Sequence, residues 1–144
     1  MPVRIVAWTS LLIGTLLAIL AGPQGPLGGF WRPQLMNPVP EGATLAGLIG
    51  ARVFEAVGVG LALAALAAGR HVFIRLTSTA GRAVTAQVAT AWLLGSWWAH
   101  SALHLHFGTA ARALVAIEWV FHAGSIVAIA ALILALWRSP AASD

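Results

Sequence analysis

The chain has 144 residues, of which 60% are hydrophobic and only 8% are charged. This composition is outside the usual range of water-soluble globular domains and is typical of integral membrane proteins. The absence of cysteine excludes disulfides, thiolate catalysis and cysteine-ligated metal centres. The net charge of +4 comes from arginines scattered between apolar stretches, and this distribution argues against a nucleic-acid partner.

Four apolar stretches are each long enough to cross a bilayer, which takes about 20 residues of helix. We predict one transmembrane domain over residues 1–144, with helices at about 5–22, 43–69, 83–107 and 113–137. The first stretch has the short basic start and apolar core of a signal peptide. It lacks a clear Ala-x-Ala cleavage site, so we expect it to remain as a helix.

The link at 23–42 is rich in proline and glycine, which prevent it from forming a helix of its own. Trp31 lies between Phe30 and Arg32 in this link, and an amphipathic indole ring is favoured at the level of the lipid headgroups. We expect the link to form an ordered external cap. The alternative is a flexible linker without fixed structure.

Arginine is expected to accumulate on the cytoplasmic side of a bacterial membrane protein. If the four spans alternate in direction, one side carries Arg4, Arg70, Arg75, Arg82 and Arg138, and the other carries Arg32 and Arg112. Both termini and the loop after the second span are therefore predicted to be cytoplasmic. The wealth of Ala, Gly and Arg without any Lys is typical of a GC-rich bacterial genome, so we expect the bacterial plasma (inner) membrane.

Small residues recur at four-residue spacing in every span, and this spacing allows helices to approach closely in lipid. The stripes are Gly14, Ala18 and Gly22; Gly58 and Ala62; Gly60, Ala64 and Ala68; Ala91, Gly95 and Ala99; and Gly124 and Ala128. The predicted fold class is all-α, an integral membrane antiparallel four-helix bundle. A glycine stripe serves a homo-oligomer or a partner subunit equally well, so the oligomeric state stays open.

Ionisable side chains within the spans are the first candidates for function. Each costs at least ~2.5–3.5 kcal/mol in hydrocarbon on insertion scales, so it persists only where it faces a bundle interior or a wet cavity. The spans contain Arg52, Glu55, His100, His104, Glu118 and His122. Their depths along the helices predict a shared polar pocket in the outer half of the bundle.

Spacing along each helix predicts which of these groups share a face, because residues three or four apart are neighbours. Arg52 and Glu55 can form an ion pair on the second helix. Ser96 extends the stripe of His100 and His104 on the third helix, and Ser125 extends the stripe of Glu118 and His122 on the fourth.

Four interpretations of this convergence remain open. The polar groups could hold the helices together. They could form a ligand site in which Arg52, His100 and His104 bind a small molecule beside Trp97, although Trp97 could equally be filler or face lipid. Glu118, His122 and Glu55 would then be acid/base groups, since a histidine beside a carboxylate can titrate near neutral pH.

The third interpretation is a metal or haem centre, and the fourth is a proton or ion path. We do not favour a metal from the sequence, but the ligands would be His100, His104, His122 and Glu118. Two histidines four apart are a weak metal signal by themselves, and the Glu that follows the first His in zinc proteases is absent. The sequence indicates no particular cofactor and leaves open whether the protein is an enzyme.

The segment Arg52-Val53-Phe54-Glu55-Ala56-Val57-Gly58-Val59-Gly60-Leu61, which runs on to Gly69-Arg70, resembles the second helix of the DoxX-like small membrane proteins. In that family a Glu precedes glycines, leucines and a basic loop. The four-helix plan with a longer first external link is also similar. The family's paired glycines are split here by Val59, and its later glycine falls on Ala65, so Glu55 alone is carried over as a functional residue.

The resemblance implies a family in which some members associate with sulfur oxidation, quinone-linked redox or oxidative-stress partners. It confers no activity by itself. We therefore predict a small DoxX-like accessory or ligand-binding protein whose polar pocket takes a quinone or another lipid-soluble molecule. The alternatives are a membrane enzyme that uses Glu–His chemistry on an apolar substrate, and a metal- or haem-binding membrane protein.

Overall fold

The structure, a computed structural model, describes residues 2–22, 25–31, 41–107 and 111–137. Regular secondary structure in these ranges is entirely helical, which confirms the all-α prediction. The helices are α1 (Val3–Ala21), α2 (Gly42–Ala68), α3 (Arg70–Leu76), α4 (Ala80–Phe107) and α5 (Ala111–Leu136), and a 3-10 turn at Gly28–Trp31 follows α1.

The four long helices overlap the four predicted spans, but α3 lies in the stretch where the sequence predicted a cytoplasmic loop. Thr77 ends α3, because its hydroxyl and its backbone N–H both donate to the Phe73 carbonyl. Thr79 then caps α4 by accepting a 3.3 Å bond from the Arg82 backbone N–H. Most of the predicted 23–42 cap, with Arg32, and Arg138 at the other end of the chain lie outside the described residues.

The long helices pack side by side in the order α1, α2, α4, α5, while α3 lies against α4. Neighbouring helices run antiparallel. Gln87 near the start of α4 donates to the Ala65 and Leu66 carbonyls near the end of α2, and Trp92 of α4 packs on Gly124 in the second half of α5. Among the described residues α1 and α5 make at most marginal contact, so these contacts give a row and do not show a closed four-helix bundle.

The helix interfaces are built from small side chains, and the large apolar side chains point outward. Ten of the twelve buried hydrophobic residues in the described ranges are alanines, and Ile117 and Phe121 are the other two. By contrast, Phe54 is 81% exposed and Trp119 is 71% exposed. This arrangement lets helix backbones approach closely and leaves an apolar outer surface far larger than water-soluble monomers present.

Three of the described helices, α1, α2 and α5, are long and apolar enough to cross a membrane. The sequence predicted a fourth spanning helix at 83–107, but α4 is not apolar enough to join the other three. Its polar residues explain the difference, and its place in the row explains why they are tolerated. A helix covered by α2 on one side and by α5 on the other does not need an apolar surface all round.

Candidate functional site

The six ionisable residues of the predicted pocket lie on two sides of α4. Arg52 and Glu55 of α2 meet Ser101 on one side, and the histidines of α4 meet Glu118 of α5 on the other. Successive residues of an α-helix point about 100° apart, so Ser101 and His100 face different neighbours. The single shared pocket predicted from the sequence is therefore replaced by two clusters, one in each helix interface.

The α2–α4 cluster is a closed hydrogen-bonded group. Arg52 Nη1 donates to Glu55 Oε2 at 2.7 Å, which is the ion pair that the three-residue spacing predicted. Ser101 Oγ donates to Glu55 Oε1 at 2.6 Å, so both carboxylate oxygens have a partner. The buried Arg52 Nε has none among the described residues, and Arg52 lines a cavity of about 200 Å³ with Trp98 and with Gly22, the residue after α1.

The α4–α5 cluster is centred on the carboxylate of Glu118. His104 Nε2 lies 2.7 Å from Glu118 Oε1, and His122 Nδ1 lies 2.9 Å from Glu118 Oε2. His100 Nε2 lies 3.0 Å from His104 Nε2 and 3.8 Å from Glu118 Oε1. Because His122 Nδ1 is also 2.9 Å from the Glu118 carbonyl oxygen, this nitrogen faces acceptors only and must carry the proton.

The ring of His100 is fixed by stacking. Phe121 is buried, and its ring lies 3.9 Å from the His100 ring centre at an interplanar angle of 17°. The Trp97 ring packs edge-on against the Phe121 ring, with 4.8 Å between the two ring centres. These contacts hold the imidazole of His100 so that its Nε2 points to the other histidine and the carboxylate.

An apolar groove of about 610 Å³ runs along α4 between α2 and α5, and His100 is one of its lining residues. Ala91, Gly95 and Ala99, which the sequence predicted as a helix-packing stripe, line this groove. Gly95 does approach α2, since a Cβ there would lie 3.1 Å from the Ala62 Cβ, but Ala99 lies open to the groove. The stripe therefore creates space for a ligand as well as a packing contact.

Other predicted site residues have different surroundings. Trp97 is half exposed and lines a separate groove with Glu55 on the α2 side, although its ring also reaches Phe121. Ser96 lines the 610 Å³ groove, and its buried hydroxyl has no partner in the described part of the chain. Ser125, which the sequence predicted on the same stripe as His122, has its hydroxyl oxygen 3.4 Å from Trp92 Nε1.

Two contributing residues were missed from the sequence. Ser101 is a polar residue next to His100 in an apolar stretch, and it should have indicated that α4 has a second polar face. Phe121 lies between Glu118 and His122 in the sequence, and only the rotation of α5 against α4 shows that it stacks on His100.

Within the described structure, the α4–α5 cluster is the place where a metal ion could be held. One ligand atom from each of His100, His104 and Glu118 lies within 4.8 Å of the others. Two imidazoles and a carboxylate suit zinc or non-haem iron, and the same groups suit proton transfer. Glu55 does not belong to this set of possible metal ligands, because Arg52 and Ser101 bind its two carboxylate oxygens in the other helix interface.

Comparisons of this chain with protein-family models, with curated proteins and with solved structures found no match.

Proposed function

We propose that the chain is an integral protein of the bacterial inner membrane in which all four long helices are embedded as a bundle with both termini cytoplasmic. The support is the arrangement of alanines at the interfaces and large apolar side chains outside. The charge distribution is a second support. In the antiparallel packing Arg4, Arg70, Arg75 and Arg82 lie at one end of the row and Arg112 lies at the other, and the positive-inside rule associates such an excess of arginine with the cytoplasmic side.

Within that membrane protein, the function we propose is that of a small DoxX-like accessory protein that binds a lipid-soluble molecule such as a quinone. The observation that carries it is the groove of about 610 Å³, which is lined almost entirely by apolar side chains and has His100 in its wall. Sites for small molecules are typically of this size, apolar, and provided with a few polar groups that orient the ligand.

The ligand would lie with its apolar part along Ala91, Gly95 and Ala99 and with its polar head at His100. An imidazole can donate to, or accept from, a quinone oxygen, so His100 suits either the oxidised or the reduced head group. Arg52 and Trp97, which the sequence predicted as further ligand contacts, belong to other cavities and are not needed in this arrangement.

The test is to fill the groove. Ala99→Phe places a phenyl ring inside it, and Ala130→Phe puts the same ring on the exposed surface of α5 as a matched control. Binding of short-chain ubiquinone and menaquinone analogues to protein in nanodiscs would be measured by titration calorimetry. We expect Ala99→Phe to weaken binding at least tenfold and Ala130→Phe to leave it unchanged. Wild-type protein that binds neither analogue, or equal affinities for both variants, would refute the proposal.

A membrane enzyme is the second candidate, and one observation favours it. Glu118 is in contact with His104 on one carboxylate oxygen and with His122 on the other, which is an arrangement that can relay a proton. In that case Glu118 and His122 would be the acid/base groups, and an apolar substrate would lie in the groove. Glu55 would have no part in it, because Arg52 and Ser101 occupy both of its oxygens.

A further inference from the structure

The three ligand atoms of the α4–α5 cluster form a small triangle. Its sides are 3.0 Å between the two histidine Nε2 atoms, 2.7 Å from His104 Nε2 to Glu118 Oε1, and 3.8 Å from His100 Nε2 to the same oxygen. A tetrahedral metal with bonds of about 2.0–2.1 Å holds its ligand atoms about 3.3 Å apart. The mean side of the triangle is close to that value. A change of about 0.5–0.6 Å in its shortest and longest sides would give the tetrahedral spacing.

Hydrogen bonds alone do not satisfy this triangle. An imidazole nitrogen carries either one N–H or one lone pair. If His104 Nε2 donates to the Glu118 carboxylate, it has no lone pair with which to accept from His100. A lone pair on His100 Nε2 would then have to accept the same His104 proton that Glu118 accepts. If His100 donates to His104 instead, the lone pair of His104 faces the oxygen lone pairs of Glu118 at 2.7 Å. A cation at the centre would accept all three lone pairs at once.

We propose that His100, His104 and Glu118 bind one divalent transition-metal ion, with Zn²⁺ as the best match. Two histidines and a carboxylate with a fourth position left open is a ligand set that zinc enzymes use. The apolar groove reaches this site, because His100 lines the groove.

The neighbouring residues support a metal in this place. His122 donates to the second oxygen of Glu118, and such a hydrogen bond orients a ligating carboxylate and helps to retain the metal. Phe121 stacks on His100 and fixes the plane of its ring. The side chains of His104 and Glu118 are 34% and 44% exposed, which leaves an entry path for the ion. Arg52, whose charge would repel a metal, is paired with Glu55 in the other interface.

This inference does not depend on the groove's holding a ligand, and the metal alone is the probe. The protein would be purified in detergent without a histidine tag, analysed for bound metals, stripped with a chelator and titrated with Co²⁺ and then with Zn²⁺. We expect one Co²⁺ per chain with the visible absorption of four-coordinate cobalt, and its displacement by one equivalent of Zn²⁺. A stripped wild-type protein that binds neither ion at micromolar concentration would overturn the proposal.

Variants identify the ligands. His104→Gln and Glu118→Gln should each weaken metal binding at least 100-fold, and His122→Gln should weaken it about 10–100-fold, as loss of a hydrogen bond to a ligating group does. His71→Gln removes an exposed histidine of α3 by the same change and should bind as the wild type does. Wild-type affinity in both His104→Gln and Glu118→Gln would overturn the assignment. If one variant does not fold, the other, together with the wild-type titration, decides.

Discussion

Ser101 donates a 2.6 Å hydrogen bond to Glu55, and this bond assigns Glu55 to the α2–α4 cluster and not to the α4–α5 cluster. It fixes the carboxylate of Glu55 on the side of α4 that faces α2. His100, one residue earlier in the chain, faces α5 and stacks on Phe121. The ion pair of Arg52 with Glu55 therefore lies in the α2–α4 interface. The carboxylate that contacts His104 and His122 is that of Glu118.

Replacing Ser101 by alanine should destabilise the protein by about 1.5–3 kcal/mol, because the Glu55 carboxylate loses one of its two partners. Ser96→Ala is the matched control on the same helix. The hydroxyl of Ser96 is buried without a partner in the described residues, so its loss should be neutral or stabilising. Thermal unfolding in detergent measures both, and an equal effect of the two changes would contradict the hydrogen-bond assignment.

Gly60→Ala should destabilise the packing of α1 on α2 by about 1–3 kcal/mol, because the added Cβ would meet the Leu11 carbonyl and the Thr15 hydroxyl. Gly47→Ala on the same helix meets nothing within 4 Å. It should stabilise α2 by about 0.5–1 kcal/mol through the higher helix propensity of alanine. The free energy of unfolding in mixed micelles distinguishes the two, and a stabilising Gly60→Ala would show that the α1–α2 contact is wrong.

Arg82 has a role beyond charge. Its guanidinium donates to the carbonyls of Leu134 and Trp137 at the end of α5, where the last carbonyls of a helix have no donor within the helix. Arg82→Gln should therefore loosen the last turn of α5 by about 0.5–1 kcal/mol. Hydrogen exchange of residues 133–137 should become faster, while Arg75→Gln, a change at an exposed arginine of α3, should leave it unaltered. No difference in exchange between the two variants would exclude the capping role.

His122 and Phe121 are adjacent but should respond differently to truncation. The side chain of His122 is 58% exposed, so His122→Ala should cost no more than about 1 kcal/mol of stability. Phe121 is buried against His100 and Trp97, and Phe121→Ala should cost about 3–5 kcal/mol. Thermal melting in detergent compares them. A loss at His122 as large as at Phe121 would make the histidine a structural residue and argue against the enzyme candidate, which requires a folded and inactive variant.

Several features were predictable from the sequence because they are local. Arg52 and Glu55 are three residues apart, and Glu118 and His122 are four apart, so helix periodicity alone brings each pair into contact. The four long helices were predicted from four long, mainly apolar stretches, although α4 is less apolar than the other three. The short helix α3 was missed because it has only seven residues and contains Arg70 and Arg75, which we interpreted as part of a cytoplasmic loop.

The sequence by itself determined that this chain is helical, that its helices carry small residues for close packing, and which polar groups share a turn, since all of these depend on neighbours within a few residues. The tertiary structure decided that Glu55 binds Ser101, that Glu118 meets His104, and that Ala99 lies open to a groove. Those outcomes depend on how each helix is rotated and shifted against the next. Rotation is set by the fit of side chains across the whole interface, which no local spacing specifies.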